Sequence, residues 1–201
     1  MTRVLVTGFE PFDGASVNPS QLLVESLAAE PPPDVELATT VLPVAYARAA
    51  GALREAVRSV EPTAVVCFGQ ADGRTGISIE RFAHNLDDGT KVDNEGASSG
   101  AEIDPAGPAA YRSTLPVAAI VSALRAAGIP AAESRDAGGY LCNHVFYVLM
   151  GELEERQAVG GFVHVPLLPE QALEQSAPSM PLETLVRAAR VIVSQTVRAR
   201  T

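Results

Sequence analysis

The chain has 201 residues, of which 47% are hydrophobic, and a formal net charge of −9. It has no lysine- or arginine-rich block, which argues against a nucleic-acid partner. No apolar stretch reaches the roughly 18 residues of a membrane span, and the first residues, "MTRVLVTGFEPF", lack a signal peptide's apolar core and cleavage site. Two cysteines do not make a disulfide framework. We therefore expect one domain over residues 1–201 and a soluble, cytoplasmic protein with free thiols.

The first half of the chain alternates short apolar runs with helical patterns. A β-branched run over 3–9 ends in glycine and is typical of a buried parallel strand. Asn18 and Pro19 are a helix start, with asparagine as the cap and proline in the first turn. The further elements expected here are a strand over 35–44, a helix over 46–60, a strand over 63–69 and a hairpin-like pair of short strands over 76–86 and 90–94.

The second half continues the alternation after a polar loop over 94–111. The expected elements are a helix over 115–128, a weak strand over 130–136, a helix from Cys142 to about Gln157, a buried strand over 160–168 and a last helix over 181–200. This alternation predicts an α/β fold with an open, mostly parallel sheet and helices on both faces.

Sites in such sheets form outside the carboxyl ends of the strands. Six chemistry-bearing residues from distant parts of the sequence are predicted to converge on that edge. They are Phe9, Phe12, Gln70, Glu80, Cys142 and His164.

Cys142 lies in "AGGYLCNHVFYVLM", where a glycine-rich loop becomes a helix. The positive end of a helix dipole stabilises a thiolate, and the unpaired N–H groups there can hold an oxyanion. The alternative is a small buried apolar residue, which is the expected state of Cys67 in "AVVCFG". The position of Cys142 predicts a nucleophile with a lowered pKa.

A nucleophilic cysteine needs a base within hydrogen-bond reach. His144 is two residues after Cys142, and residues at that spacing do not face each other on a helix. His164 lies on a buried strand near the expected edge and is the preferred base, the alternative being a core histidine. His84 is given no role.

The histidine needs an orienting partner. Glu80 is an acid inside the otherwise apolar "SIERFA", and buried carboxylates are normally paired. Arg81 alternates to the opposite face of the strand, so a histidine is the expected partner of Glu80. The alternative is an exposed edge strand with surface charges.

Seven motifs occur in order between about residues 3 and 171: "VLVTGFEPFDG", "VNPS", "GQADGRTGISIERFAHN", "DNEG", "GPAAYRSTLP", "CNHVFY" and "GGFVHVPLLPEQ". Together they resemble the pyrrolidone carboxyl peptidases (pyroglutamyl peptidase I), a family of cysteine peptidases. The resemblance implies that an N-terminal pyroglutamate is removed from peptides through a thioester. It also implies a three-layer α/β/α sandwich, no metal, no cofactor, and a homodimer or homotetramer.

The resemblance also assigns residues. It implies a catalytic triad of Cys142, His164 and Glu80. It implies a pocket for the pyroglutamyl ring on Phe9, Phe12, Tyr140 and Leu141, with polar contacts near Asn18 and Gln70.

The chain departs from the family pattern at three places, which involve four residues. Thr90 and Lys91 replace an arginine followed by an aliphatic residue, Asp13 replaces a glycine, and Val44 replaces a frequent threonine. None touches the implied triad, but each could change the rate or the substrate preference.

Three other functions remain open on the sequence alone. One is a cysteine hydrolase of a related amide or lactam-capped compound, and another is a non-catalytic ligand-binding paralogue. The third is a nucleoside phosphorylase on a similar sandwich, which the lack of a glycine-rich phosphate loop disfavours.

Overall fold

The computed structural model describes residues 2–33, 35–173 and 176–199. The strands in these ranges are β1 (Thr2–Phe9), β2 (Val35–Leu42), β3 (Ala64–Gln70), β4 (Ile77–Glu80), β5 (Phe82–His84), β6 (Ala110–Arg112), β7 (Ala131–Ser134) and β8 (Val159–Val165). The helices are α1 (Pro19–Ala29), α2 (Tyr46–Val60), α3 (Val117–Ala126), α4 (Leu141–Glu154), α5 (Pro169–Ala172) and α6 (Leu182–Arg198).

Six strands form one sheet in the order β2-β1-β3-β8-β4-β7. The β2, β1, β3 and β8 strands are mutually parallel, whereas β4 pairs antiparallel with β8 and parallel with β7. The predicted mostly parallel sheet is confirmed, and its two short strands β4 and β7 run against the rest.

Helices cover both faces of this sheet. One apolar cluster packs α1, α3 and α6 against the sheet, and a second packs α2 and α4 against its other face. The side chains of β1 and β3 that point to either face are buried, as in a sheet covered on both sides. This arrangement confirms the α/β/α sandwich that the resemblance implied.

The start of α1 follows its sequence signal. The Asn18 side chain accepts a 2.9 Å hydrogen bond from the Ser20 N–H, and Pro19 occupies the first turn. None of the helices in the described ranges has the length and apolar character needed to cross a membrane.

The expected hairpin over 76–94 is wrong. All four residues of β4 are buried inside the main sheet, β5 pairs with β6 in a separate two-stranded ribbon, and residues 90–94 form no strand. A strand buried on both faces carries no polar–apolar period, so the place of β4 inside the main sheet is not visible in its sequence.

Candidate active site

A cavity of about 340 Å³ opens between the loops after β1 and β3 and the start of α4. Eight of the nine predicted site residues line it: Phe9, Phe12, Asn18, Gln70, Tyr140, Leu141, Cys142 and His164. The ninth, Glu80, is completely buried behind His164. The structure thus brings all nine together, with one of them beneath the cavity wall.

The histidine and the carboxylate meet across the β8–β4 ladder. His164 pairs with Ser78, and Glu80 lies two residues further along β4, on the same face. The Nδ1 atom of His164 is 2.8 Å from Oε1 of Glu80, and both side chains are at most 4% exposed. This bond fixes the ring, so that Nε2 is the nitrogen left for chemistry.

Glu80 was expected to reach the site because the carboxyl ends of parallel strands meet at one edge of the sheet, but this reason does not hold for β4. Because β4 is antiparallel to β8, the carboxyl end of β4 points away from the edge where β1, β3 and β8 end. The same holds for β7, and residues 135–140 carry the chain from β7 to Cys142 along the cavity wall. The predicted convergence occurs, but its stated cause is wrong for these two residues.

Cys142 is the second residue of α4. Its Sγ lies over Gly69, whose β3 position pairs with His164 of β8. A Cβ at Gly69 would be 2.8 Å from the Cys142 Sγ and 2.8 Å from the Phe162 ring. The absence of a side chain at this point is what allows the thiol to sit beside the histidine strand.

The protonation state of the thiol differs from the expectation. Burial raises the pKa of the Cys142 thiol to about 12, and the Glu80 carboxylate acts in the same direction while Lys91 lowers it. The predicted lowering of this pKa is wrong, because removal from water penalises the thiolate. Cys142 therefore rests as a thiol at neutral pH.

The start of α4 has N–H groups beside Cys142 that have no hydrogen-bond partner among the described residues. The first hydrogen bond of the helix runs from the His144 N–H to the Tyr140 carbonyl at 3.1 Å. The N–H groups of Leu141, Cys142 and Asn143 precede it, and the cap residue Tyr140 supplies no side-chain acceptor. These donors suit a developing oxyanion.

Aromatic and aliphatic side chains form the apolar wall. The rings of Phe12 and Tyr140 lie 6.1 Å apart, and Phe9 packs on Phe162 at 6.4 Å. Leu141 is buried. Burial raises the pKa of Tyr140 to about 12, so its hydroxyl stays protonated and donates to the Val92 carbonyl at 3.0 Å.

Asn18 and Gln70 are largely committed to structure. Asn18 caps α1 and donates to the Glu10 carbonyl at 3.0 Å. Gln70 donates to Asp72 at 2.9 Å and accepts from Gln171 at 3.1 Å. Each amide group has two N–H donors, and only one is used within the described residues. One donor from each is therefore available to a ligand.

The three departures from the family pattern have distinct structural settings. Thr90 and Lys91 line the cavity, with Thr90 bonded to Asp88 through its N–H and its hydroxyl. Val44 is a buried part of the wall. Asp13 has a φ of 55°, a left-handed conformation in which glycine is unstrained and aspartate is tolerated.

Sequence reasoning missed several cavity residues, above all Arg74. This arginine lines the cavity and lies 3.4 Å from Glu80. Its only sequence signal is a lone cation in the glycine-flanked turn "DGRTG" before a buried strand. Gly139 was also missed: its missing side chain lets Asp88 approach, and the Asp88 N–H donates to its carbonyl at 2.9 Å.

Across the described part of the chain, no group of three or more His, Cys, Asp or Glu side chains is placed to hold a metal ion.

Comparison with known proteins gives one consistent result. The model of the pyroglutamyl peptidase family matches residues 2–199. The pyrrolidone-carboxylate peptidase of Streptomyces coelicolor is 46% identical over 202 residues, covering 98% of this chain and 93% of that protein. The enzyme of Vibrio vulnificus is 49% identical over 187 residues, covering 92% and 88%.

Solved structures agree with the sequence relatives. The crystal structure of pyroglutamyl peptidase I from Bacillus amyloliquefaciens has a TM-score of 0.95 at 39% identity and covers 98% of both chains. A mutant pyrrolidone carboxyl peptidase from the hyperthermophile Pyrococcus furiosus has a TM-score of 0.96 at 36% identity and covers 100% of both.

Proposed function

This chain belongs to the pyroglutamyl peptidase family, peptidases that remove an N-terminal pyroglutamate, and we propose that its reaction runs through Cys142, His164 and Glu80. The observation that carries the proposal is the buried 2.8 Å contact between His164 and Glu80 behind a cavity that Cys142 also lines. A nucleophile, a base and an orienting carboxylate are the three parts that such catalysis needs.

The raised pKa of Cys142 dictates how the nucleophile is made. The thiol proton moves to Nε2 of His164 as the sulfur attacks the pyroglutamyl carbonyl. The N–H groups at the start of α4 hold the oxyanion. His164 then gives the proton to the leaving amine, and a thioester remains. The same histidine activates a water molecule, which releases pyroglutamate and restores the thiol.

Glu80 contributes to these reaction steps through the imidazole ring of His164. It accepts from Nδ1, which keeps Nε2 directed to the reacting atoms and stabilises the imidazolium that forms after proton transfer. A second cysteine, Cys67, is completely buried in the core and has no part in the reaction.

The cavity suits a small uncharged ring. Pyroglutamate is a five-membered lactam without a charged α-amine, so it needs apolar walls and a few amide partners. Phe9, Phe12, Tyr140 and Leu141 provide such walls, and the unused N–H donors of Asn18 and Gln70 suit the lactam oxygen. The peptide beyond the ring continues toward an adjoining cavity of about 450 Å³ that shares Phe12 and Gln70 as walls.

Compartment and assembly are part of the proposal. Both cysteines are free thiols, which favours a reducing cytoplasm. A homodimer or homotetramer, built from a single catalytic domain over 1–201, is favoured by the family. Light scattering on the purified protein would give the mass of the assembly.

The test is release of a fluorescent amine from an N-pyroglutamyl amide by wild type and Cys142→Ser. We expect turnover by wild type and a loss of about 10³-fold or more in the variant. Cys67→Ala is the matched control and should stay within about threefold of wild type if folded. Equal rates for wild type and Cys142→Ser would refute the nucleophile, and no turnover by a folded wild type would refute this reaction.

A further inference from the structure

Arg74 is the one cation in contact with the carboxylate that serves the proposed catalytic histidine, within the described residues. Its Nη2 lies 3.4 Å from the Glu80 Oε1, the same oxygen that His164 Nδ1 contacts at 2.8 Å. The Arg74 side chain is 35% exposed and Glu80 is 0% exposed. The arginine thus reaches from the cavity wall into the buried pair.

The Glu80 carboxylate has few other partners. Its Oε2 is buried and has no hydrogen-bond partner among the described residues. A buried carboxylate is costly unless a charge or hydrogen bonds compensate for the lost water. Arg74 supplies that positive charge at the same oxygen that His164 contacts.

Arg74 also holds the segment that leads into the nucleophile. The same Nη2 lies 3.1 Å from the Asp136 carbonyl and 3.5 Å from the Ser134 Oγ. These residues begin the stretch that ends at Cys142. One nitrogen therefore touches both the carboxylate behind the base and the chain that delivers the thiol.

We propose that Arg74 is a positioning residue that sets the placement of the Glu80–His164 pair relative to the segment leading to Cys142. The inference rests on the proposed function of that triad. It concerns a contact with Glu80, so it predicts that the effect of removing Arg74 depends on the presence of the carboxylate. A substrate contact of Arg74, in contrast, would be felt with or without Glu80.

A double-mutant cycle on kcat and KM tests this dependence, using wild type, Arg74→Gln, Glu80→Gln and the double variant. We expect Arg74→Gln to lower kcat about tenfold in the wild-type background, because small misplacements of reacting groups are costly. KM should change less than about threefold. In the Glu80→Gln background the same substitution should cost less than about twofold.

Arg81→Gln is the matched control, since Arg81 follows Glu80 in sequence but pairs with Glu133 on the other face. It should leave kcat within about twofold of wild type in both backgrounds. Chemical rescue gives a second readout: guanidinium ion should restore part of the kcat of Arg74→Ala. Arg74→Lys, which keeps the charge on one terminal nitrogen, should lose less than Arg74→Gln.

The outcomes separate the two proposals. Equal losses from Arg74→Gln in both backgrounds, an unchanged kcat, or a rise in KM alone would overturn the positioning role. If Arg74→Gln is poorly folded, the other two variants decide. A kcat of Arg74→Lys that is no higher than that of Arg74→Ala, together with no rescue by guanidinium ion, would overturn the positioning role. Wild-type rates in Glu80→Gln would instead refute the proposed triad, and this inference with it.

Discussion

The described residues of this molecule contain two acid–histidine pairs, and only one of their histidines lines the cavity with Cys142. His164 contacts Glu80 at 2.8 Å, and His144 contacts Asp87 at 2.9 Å. In both pairs Nδ1 meets a carboxylate oxygen, and the second oxygen is buried without a partner in the described ranges. The contact geometry alone therefore does not distinguish a catalytic pair from a structural one.

The surroundings make the difference. His164 lines the cavity with Cys142, whereas His144 packs edge-on against the Tyr46 ring at a centroid distance of 5.5 Å. Asp87 belongs to the loop that supplies cavity residues over 88–91. The Asp87–His144 pair therefore fastens this loop to α4, while the role proposed for the Glu80–His164 pair is proton transfer. His144, two residues after Cys142, contacts Asp87 and Tyr46 and does not line the cavity, in agreement with the helical spacing.

The largest expected effect is on the catalytic pair. His164→Ala should lower kcat/KM by about 10⁴-fold, because both proton transfers lose their carrier. The measurement is steady-state release of the fluorescent amine, with circular dichroism as the check on folding. His144→Ala as the comparison variant should be far more active, and equal losses in the two variants would erase the distinction between the pairs.

The pH dependence of Cys142 reactivity is the second test of the comparison between the two pairs. Since the pKa of Cys142 is raised to about 12, the thiolate fraction grows with each pH step below that value. Alkylation by iodoacetamide should rise about tenfold per pH unit between about pH 6 and 9. The His144→Gln variant should give the same profile. An alkylation rate that stays constant below about pH 7 would mean that Cys142 rests as a thiolate. Cys67 should stay unlabelled until the protein unfolds.

Glu80→Gln comes third in expected size. An amide still fills the space beside His164 but does not stabilise the imidazolium, so kcat should fall about 10²-fold. Steady-state kinetics over a range of substrate concentrations would separate kcat from KM. A larger loss in Glu80→Gln than in His164→Ala would contradict the assigned roles.

The smallest effect belongs to the structural pair. Asp87→Asn should leave kcat within about twofold and raise KM about threefold, because the cavity loop is less firmly held. It should lower the free energy of unfolding by about 1 to 3 kcal/mol, since a buried partner is weakened. Urea denaturation measures the stability. A kcat loss as large as that of Glu80→Gln would make the second pair catalytic.

Much of the fold was predictable because local signals agreed with it. The cap at Asn18, the glycine-terminated strand over 3–9 and the strand–helix alternation led to a sheet covered on both faces. Strand direction was not predictable in this way. β4 and β7 have only four residues each, which is too short for their sequences to indicate which way they run, and the prediction followed the parallel majority.

The candidate site, like the fold, was predictable from the sequence only in part. The proposed triad of Cys142, His164 and Glu80 came from residue types and from the order of the family motifs, which the sequence displays directly. Arg74 is only six positions from Glu80, but its contact with the Asp136 carbonyl spans 62 positions, and the pairing of Asp87 with His144 spans 57. The pKa of Cys142 also escaped prediction, because the burial that raises it is not visible in the sequence.

Gly69 has a consequence for covalent inhibitors. The Cys142 sulfur and the Phe162 ring both lie close to the backbone of β3 at Gly69, so one flank of the thiol faces the sheet. An electrophile is therefore expected to approach from the cavity that Cys142 lines. Warheads carried on a lactam scaffold should therefore modify Cys142 faster than equally reactive compounds without one, and the shape of the entrance, more than the acidity of the thiol, would govern selectivity.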